Sequence, residues 1–435
     1  MKKLIFSETH FWDELETCFA ALADNVSIVK TVSDIISSIR DEGDAALFRF
    51  TEMLDGAELS AETLTVQTEE LAQSQEALSP EVRQALEQSI ANVQSFHEKT
   101  LPKPWASLNN EGAEVGERFY PLHRVGIYIP GGQVPLVSTV VMTVVLAKIA
   151  GVAEIAVATP PRADGSVDAS ILAALSMCDI REVYKMGGAQ AMAAFALGTE
   201  SIPQVDKILG PGNAYVMEAK RQLFGLVGVD GLPGPSEVMV ISDEQTPPSW
   251  VAADLLAQAE HGSGKERLYF VCNSEAYLSR VEFAIEEALS SLPNAHKIKK
   301  IIEEGSLAVV VDDWDEAAQL ANYIAPEHLE LLLDEELSNT LAGKVHTAGA
   351  LLVGRYTPAA LGDFIAGPSH TLPTGRAARF LSGLQVSDFM RRSSWVRYDA
   401  HSLEQASPIV GVFSRVESLP AHGQSVRIRL EDASV

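Results

Sequence analysis

From Arg124 onward, short apolar runs alternate with helix-like stretches. V-G-I-Y-I-P, E-I-A-V-A-T, E-V-Y-K-M and D-K-I-L form a first series, residues 125–209. V-M-V-I-S, R-L-Y-F-V-C, L-A-V-V-V, L-E-L-L-L and A-L-L-V form a second, residues 238–353. Continuous apolar runs of this length, spaced by helical patterns, are the pattern of buried parallel strands with crossover helices. A single core stops growing beyond about 250–300 residues, so 435 residues carrying two such series predict two cores. The expected fold class is therefore α/β, with two Rossmann-like parallel-sheet domains.

The flanks read differently. Residues 1–23 are expected to form an N-terminal arm with its own short helix. Amphipathic helices are expected over about 28–53 and 80–99, the second opened by Ser79 as cap and Pro80 at the first helical position. The predicted division is 24–127 with 238–384 as one discontinuous α/β domain, 128–237 as the second, and 385–435 as a C-terminal module with a terminal alternating strand, S-V-R-I-R-L. No internal repeat is visible between the two series.

Composition narrows the function. A net charge of −26 and a pI near 4.7 argue against nucleic acid, which needs a basic face. Cys18, Cys178 and Cys272 form neither a disulfide framework nor a CxxC pair, which suits a reducing compartment. The most apolar window, Thr139 to Ala158, contains Lys148 and Glu154 and breaks at Gly151, unlike a membrane span. After M-K-K the apolar run is too short for a signal peptide. A soluble, cytoplasmic protein with no membrane partner is expected.

Three glycine turns stand where a strand hands over to a helix: Pro130-Gly131-Gly132, Gly187-Gly188-Ala189-Gln190 and Gly210-Pro211-Gly212-Asn213. Such turns either admit a phosphate-bearing ligand to a helix N-terminus or simply make tight turns. No GxGxxG follows a strand and there is no GxxxxGK[ST] loop, so the residues alone do not name the ligand.

For chemistry, D-L-L-A-Q-A-E-H-G-S-G, residues 254–264, places Gln258 and His261 three apart on one helical face. They are either two metal ligands or the polar end of a helix. In N-Y-I-A-P-E-H-L-E-L, residues 322–331, Glu327 and His328 beside Pro326 are either a surface dipeptide or, if Pro326 marks the first helical position, a candidate base and its carboxylate. The second reading would put His328 at a positive dipole end, lowering its pKa, with Glu327 beside it. A neutral base next to a carboxylate suits proton abstraction. G-D-F-I-A-G-P-S-H-T-L-P-T, residues 362–374, displays Asp363 and His370 on a turn-rich loop, and E-S-L-P-A-H-G-Q-S-V carries Glu417 and His422. Oxygen and nitrogen donors without thiolate suit an open zinc site, but with ten histidines in the chain spacing does not choose the set.

Together these runs resemble the histidinol dehydrogenase family along nearly the whole chain. The resemblance is carried by V-G-I-Y-I-P-G-G, G-G-A-Q-A-M-A-A-F-A-L-G-T-E-S-I-P, D-K-I-L-G-P-G-N-A-Y-V-M-E-A-K-R-Q, G-P-S-E-V, D-L-L-A-Q-A-E-H, A-P-E-H-L-E-L, the 362–374 run and A-H-G-Q-S-V. It implies Gln258, His261, Asp363 and His422 as zinc (Zn2+) ligands and Glu327 and His328 as the catalytic pair. Ser236, His370 and Glu417 would contact the substrate, and Tyr128, Gln190 and Asn213 would line an NAD site. The implied activity is NAD-dependent oxidation of L-histidinol to L-histidine, in a homodimer whose tail crosses to complete the partner's site. A zinc- and NAD-dependent relative acting on another alcohol, such as a sulfonated diol, is the alternative. Departures from the family pattern fall at Gln133–Thr139, Gly262, Ser369 and Ser418, the last standing where glycine is usual.

Overall fold

The computed structural model describes residues 1–20, 26–131, 135–261 and 264–432. Both expected parallel sheets are present. The first runs, in spatial order, Glu182–Lys185, Glu154–Thr159, Arg124–Tyr128, Lys207–Leu209 and Gly228–Val229. The second runs Lys2–Ile5, Ser306–Val310, Arg267–Cys272, Glu237–Ser242, His328–Leu332 and Ala350–Val353. Setting aside the edge strand Lys2–Ile5, each sheet has its chain-order strands arranged 3-2-1-4-5. The two units thus share a topology that their sequences do not reveal.

The N-terminal residues do not stand apart as an arm. Lys2–Ile5 pairs in parallel with Ser306–Val310, and Phe11 and Leu15 of the helix Phe11–Ala20 are buried in the same core as Ile241 and Leu329. The helices that follow also sit elsewhere than expected. Val32, Ile39 and Leu47 share a core with Ala158 and Phe195, while Leu86 and Val93 share one with Ile127 and Val140. The helices Val26–Glu42, Asp44–Asp55 and Pro80–His97 therefore pack on the first sheet, rather than with 238–384. Helical periodicity shows that a face must be buried; it does not show against what.

The helix expected over 28–53 is two, Val26–Glu42 and Asp44–Asp55, separated by Gly43 at φ 56°. Glu200 fixes the break by accepting the Asp44 amide proton at 2.8 Å. The helix Pro80–His97 begins as expected, with Ser79 Oγ accepting from Val82 N at 3.3 Å.

The chain end differs most. Met390–Arg397 pairs antiparallel with Glu114–Pro121, which pairs with Trp105–Leu108. Beyond it stand two helices, Ala400–Val416 and Pro420–Asp432, packed on each other. S-V-R-I-R-L is thus helical, not a strand. It belongs to no sheet among the described residues, and a period-2 pattern without a pairing partner does not hold a strand. No helix among the described residues is long and apolar enough to cross a membrane.

Candidate active site

Glu237 and His328 are the first residues of two neighbouring strands of the second sheet, paired so that His328 lies opposite Val238. His328 is therefore on a buried central strand, not at a helix start, and Pro326 ends the preceding loop. Its ring is fixed at both nitrogens. Nδ1 lies 3.3 Å from the Glu237 carbonyl oxygen, and Nε2 lies 3.4 Å from Asp363 Oδ1. Glu327 Oε2 accepts the Glu237 amide proton at 2.8 Å and lies 3.8 Å from His328 Nδ1.

Burial and carboxylates set the electrostatics. Burial favours neutral His328, but Glu327 and Asp363 outweigh it and push the imidazole up to about 9, the reverse of the expected lowering. Burial also raises Glu327 to about 7, against the pull of His328. Glu237 is raised to about 8, by burial first and the Glu327 charge second. Burial would raise Asp363 too, yet contacts with His328 and His370 hold it well below the usual carboxylate range.

The 362–374 run is anchored to both units. Ser89 Oγ donates to the Phe364 carbonyl at 2.6 Å, and Asn92 Nδ2 to that of Ile365 at 2.8 Å, so the helix Pro80–His97 grips the chain beside Asp363. Ser369 Oγ donates to the Met142 carbonyl at 3.0 Å, and Gly375 N to Glu237 Oε1 at 3.2 Å. His370 Nδ1 is 3.7 Å from Asp363 Oδ1. Half-buried Ser236 directly precedes Glu237.

Of the expected zinc ligands, Gln258 is 4% exposed near the end of the helix Pro248–Ala259, and its Nε2 is 3.4 Å from Nδ1 of exposed His261. Gly262 lies outside the described residues. Asp363 belongs to the His328 cluster. His422 and Glu417 lie exposed on the tail, His422 inside the helix Pro420–Asp432 and Glu417 capping the one before it, and among the described residues Asp363 pairs with His328 and His370 rather than with them. Among the described residues, no three His, Cys, Asp or Glu side chains converge as a metal cluster. The donors nevertheless fit zinc. An ionised, half-buried carboxylate, an amide oxygen and a reachable imidazole, with no thiolate, are the chemistry of an open site.

The glycine loops meet at the carboxyl edge of the first sheet, across the point where its strand order reverses. Tyr128, only 4% exposed, accepts the Gly188 amide proton at 3.2 Å, and burial pushes its phenol up to about 12. Fully buried Gln190 donates from Nε2 to Asp55 Oδ2 at 3.1 Å, while its Oε1 has no hydrogen-bond partner among the described residues. Asn213 caps the helix Ala214–Leu223, accepting from Tyr215 N at 3.0 Å and Val216 N at 3.1 Å. Beneath this loop, buried Lys220 reaches the Gly210 carbonyl and, at 2.7 Å, Asp230 Oδ1, while Asp230 Oδ2 accepts from Gly210 N at 2.7 Å. Close packing explains Gly210 by itself, since a Cβ there would stand 2.2 Å from the Tyr128 carbonyl oxygen. Gly132 lies outside the described residues. The unpartnered Gln190 oxygen and the exposed Asn213 fit a polar ligand such as NAD at this edge.

Four carboxylates around these sites were not singled out in the sequence: Asp55, Glu237, Asp254 and Glu330. Asp254 and Glu330 share a hydrogen bond, and fully buried Glu330 also accepts from Ala359 N at 2.6 Å, at the start of the helix Ala359–Phe364 that carries Asp363. The available signal was an acidic residue inside an otherwise apolar run, as in L-E-L-L-L and D-L-L-A.

Comparison with known proteins gives the family. The histidinol dehydrogenase family model matches residues 20–430. A histidinol dehydrogenase from Synechococcus sp. is 42% identical over 399 residues, covering 92% of this chain and 91% of that protein. Another, from Hydrogenovibrio crunogenus, is 39% identical over 434 residues and covers 99% of both chains. The crystal structure of histidinol dehydrogenase from Elizabethkingia anophelis matches with a TM-score of 0.94 at 31% identity, over 100% of this chain and 99% of that one. The chain belongs to the histidinol dehydrogenase family of NAD- and zinc-dependent oxidoreductases, which serves histidine biosynthesis.

Proposed function

We propose that the chain oxidises L-histidinol through L-histidinaldehyde to L-histidine in two hydride transfers, at sites that two copies share. The observation that carries this reading is His328, buried between Glu327 and Asp363 with Nδ1 held by the Glu237 carbonyl. That contact keeps the proton on Nδ1 in the neutral ring and leaves Nε2 as the basic nitrogen.

Gln258, His261 and Asp363, with His422 of the partner subunit, would hold the zinc. Zinc bound there supplies a fixed positive charge that orients the imidazole and amino nitrogens of the substrate. Of the two carboxylates that hold His328 protonated, Asp363 is the one assigned to the metal. Without its charge, burial and Glu327 oppose each other, and the imidazole moves back toward neutrality.

His328 Nε2 takes the hydroxyl proton in the first oxidation; Tyr128, Gln190 and Asn213 would hold the NAD that serves as hydride acceptor. Glu327, poised at about 7, accepts a proton from the water that adds to the aldehyde, while His328 returns its proton to the carbonyl oxygen, so that the hydrate forms and the base is reset. His328 then takes a proton from the resulting hydrate in the second oxidation. Ser236 and His370 orient the substrate. The partner subunit's Glu417 attracts its ammonium group, which favours a cationic amino alcohol over a sulfonated diol.

Sharing between copies is supported by the tail itself. Ile409, Val412, Phe413 and Val416 are 49–77% exposed on a helix whose neighbour brings no cover for them. A second copy, which also needs the tail's His422 and Glu417, is the occupant that completes both surface and site. Free cysteines and the biosynthetic role support a cytoplasmic setting.

The test is the ratio of NADH formed to L-histidinol consumed by zinc-loaded protein. A ratio near two, abolished by chelation and restored by zinc, is expected. Absence of NADH from histidinol, with zinc and NAD both bound, would shift the assignment to another alcohol.

A further inference from the structure

Dinucleotide-binding sheets of order 3-2-1-4-5 commonly carry an acidic residue near the end of the second strand, where it takes the hydroxyls of the adenosine ribose. The second strand here, Glu154–Thr159, runs on into Pro160 and Pro161 and offers no carboxylate at that end. Arg162, the next charged residue, is paired with Asp168 at 2.6 Å. The acid at this place comes from a distant part of the chain. Asp55 ends the helix Asp44–Asp55, and the next residue, Gly56, lies against Ala163 in the loop after the second strand. A Cβ placed on Gly187 would stand 3.2 Å from Asp55 Oδ1 and 2.7 Å from Pro160 Cβ, so carboxylate, proline and glycine loop adjoin one another.

Asp55 is also the reachable member of its cluster. Gln190 is fully buried and Tyr128 nearly so, whereas Asp55 is half-buried at the rim. Its Oδ2 accepts from Gln190 Nε2 at 3.1 Å. No hydrogen bond from another side chain reaches Oδ1 among the described residues.

We propose that Asp55 selects NAD over NADP: its free carboxylate oxygen accepts from the adenosine ribose hydroxyls, and its charge excludes a 2′-phosphate. The Gln190 amide holds the carboxylate in place for this. A single segment thereby links fold to specificity, because the helices of 24–127 must pack on the first sheet for Asp55 to reach its carboxyl edge. The inference rests on the reading that the loops at Tyr128, Gln190 and Asn213 hold the dinucleotide.

The experiment uses the full-length, zinc-loaded protein and its Asp55→Asn and Asp55→Ser variants, with NADH and NADPH dissociation constants measured by titration calorimetry. Asp55→Asn keeps an acceptor for Gln190 and loses only the charge. It is expected to weaken NADH about tenfold or more, as for a lost charged hydrogen bond, and to bind NADPH more tightly than wild type does. The NADH/NADPH preference should fall at least about tenfold in both variants, with melting temperatures unchanged. An unchanged preference, or an equal loss for both dinucleotides with lowered melting temperature, would overturn the proposal. Amide exchange of wild type with and without NADH separates the two readings. Protection at 128–131, 187–190 and 210–213 upholds the location of the site whatever the variants do, and absence of protection there removes both.

Discussion

His328 Nδ1 and the carbonyl oxygen of Glu237 lie 3.3 Å apart across two adjacent parallel strands, a contact made by backbone pairing rather than by a mobile side chain. The tautomer of the proposed base is therefore set by sheet register. His328→Asn retains a side-chain donor toward that carbonyl but no basic nitrogen. It should lower kcat by about 10²–10⁴ with little change in melting temperature. Steady-state kinetics with histidinol checks this, and a loss below tenfold would remove His328 from the role of base.

Sharing of the site between copies predicts complementation. His261→Ala and His422→Ala homodimers should each be nearly inactive, since each lacks one ligand in both sites. Mixed dimers should regain up to about half of the wild-type activity per mixed dimer, because one site then has both ligands. Refolding the two variants together and assaying NADH formation measures it; no recovery on mixing would place His422 in its own subunit's site or in none.

Lys220 and Asp230 form a buried ion pair 2.7 Å long, with side chains 0% and 4% exposed, directly beneath Gly210. Removing one partner of such a pair leaves an uncompensated charge, so Lys220→Met should cost about 3–5 kcal/mol. Urea unfolding reads the loss. The double variant Lys220→Met/Asp230→Leu should recover part of it, and KM for NAD should rise in both because the Gly210 loop loses its support.

Asp254 and Glu330 give a pH signature. Burial raises Asp254 from 3.8 to about 6, with Glu330 as hydrogen-bond partner, so the folded state holds its proton more tightly than the unfolded chain. Its stabilising contribution is fully present below about pH 4 and is lost as pH rises through 6. Asp254→Asn removes this dependence. Relative to wild type, the variant should gain on the order of 2 kcal/mol between pH 4 and 7. Parallel unfolding curves across that range would show instead that Asp254 titrates alike in both states.

Ser418 sits at φ 57°, a left-handed conformation that side chains with a Cβ adopt at a cost, and the family usually has glycine there. Ser418→Gly should stabilise the turn between the two tail helices by about 1 kcal/mol. Thermal unfolding at fixed protein concentration reads it, since dimer formation would also shift the midpoint.

The sequence by itself determined the two parallel sheets, because buried strands must be continuous apolar runs and V-G-I-Y-I-P or V-M-V-I-S has no other economical reading. It also determined the family, through motifs too long to arise by chance. It did not determine where amphipathic segments dock. The stripe on Val26–Asp55 states that one face is covered, and only packing on the first sheet decides that Asp55 meets Gln190. Nor did it reveal His328 as a strand residue: proline before Glu-His is compatible with a helix start, and the choice falls to pairing with Glu237–Ser242. The tail shows the same limit, with S-V-R-I-R-L alternating like a strand yet folded as a helix that belongs to no sheet among the described residues. Local pattern is a property of a few neighbouring residues, whereas the partner that completes a buried face or a base is supplied by distant chain, 91 residues away for His328 and Glu237 and 135 for Gln190 and Asp55, which only the tertiary structure brings near.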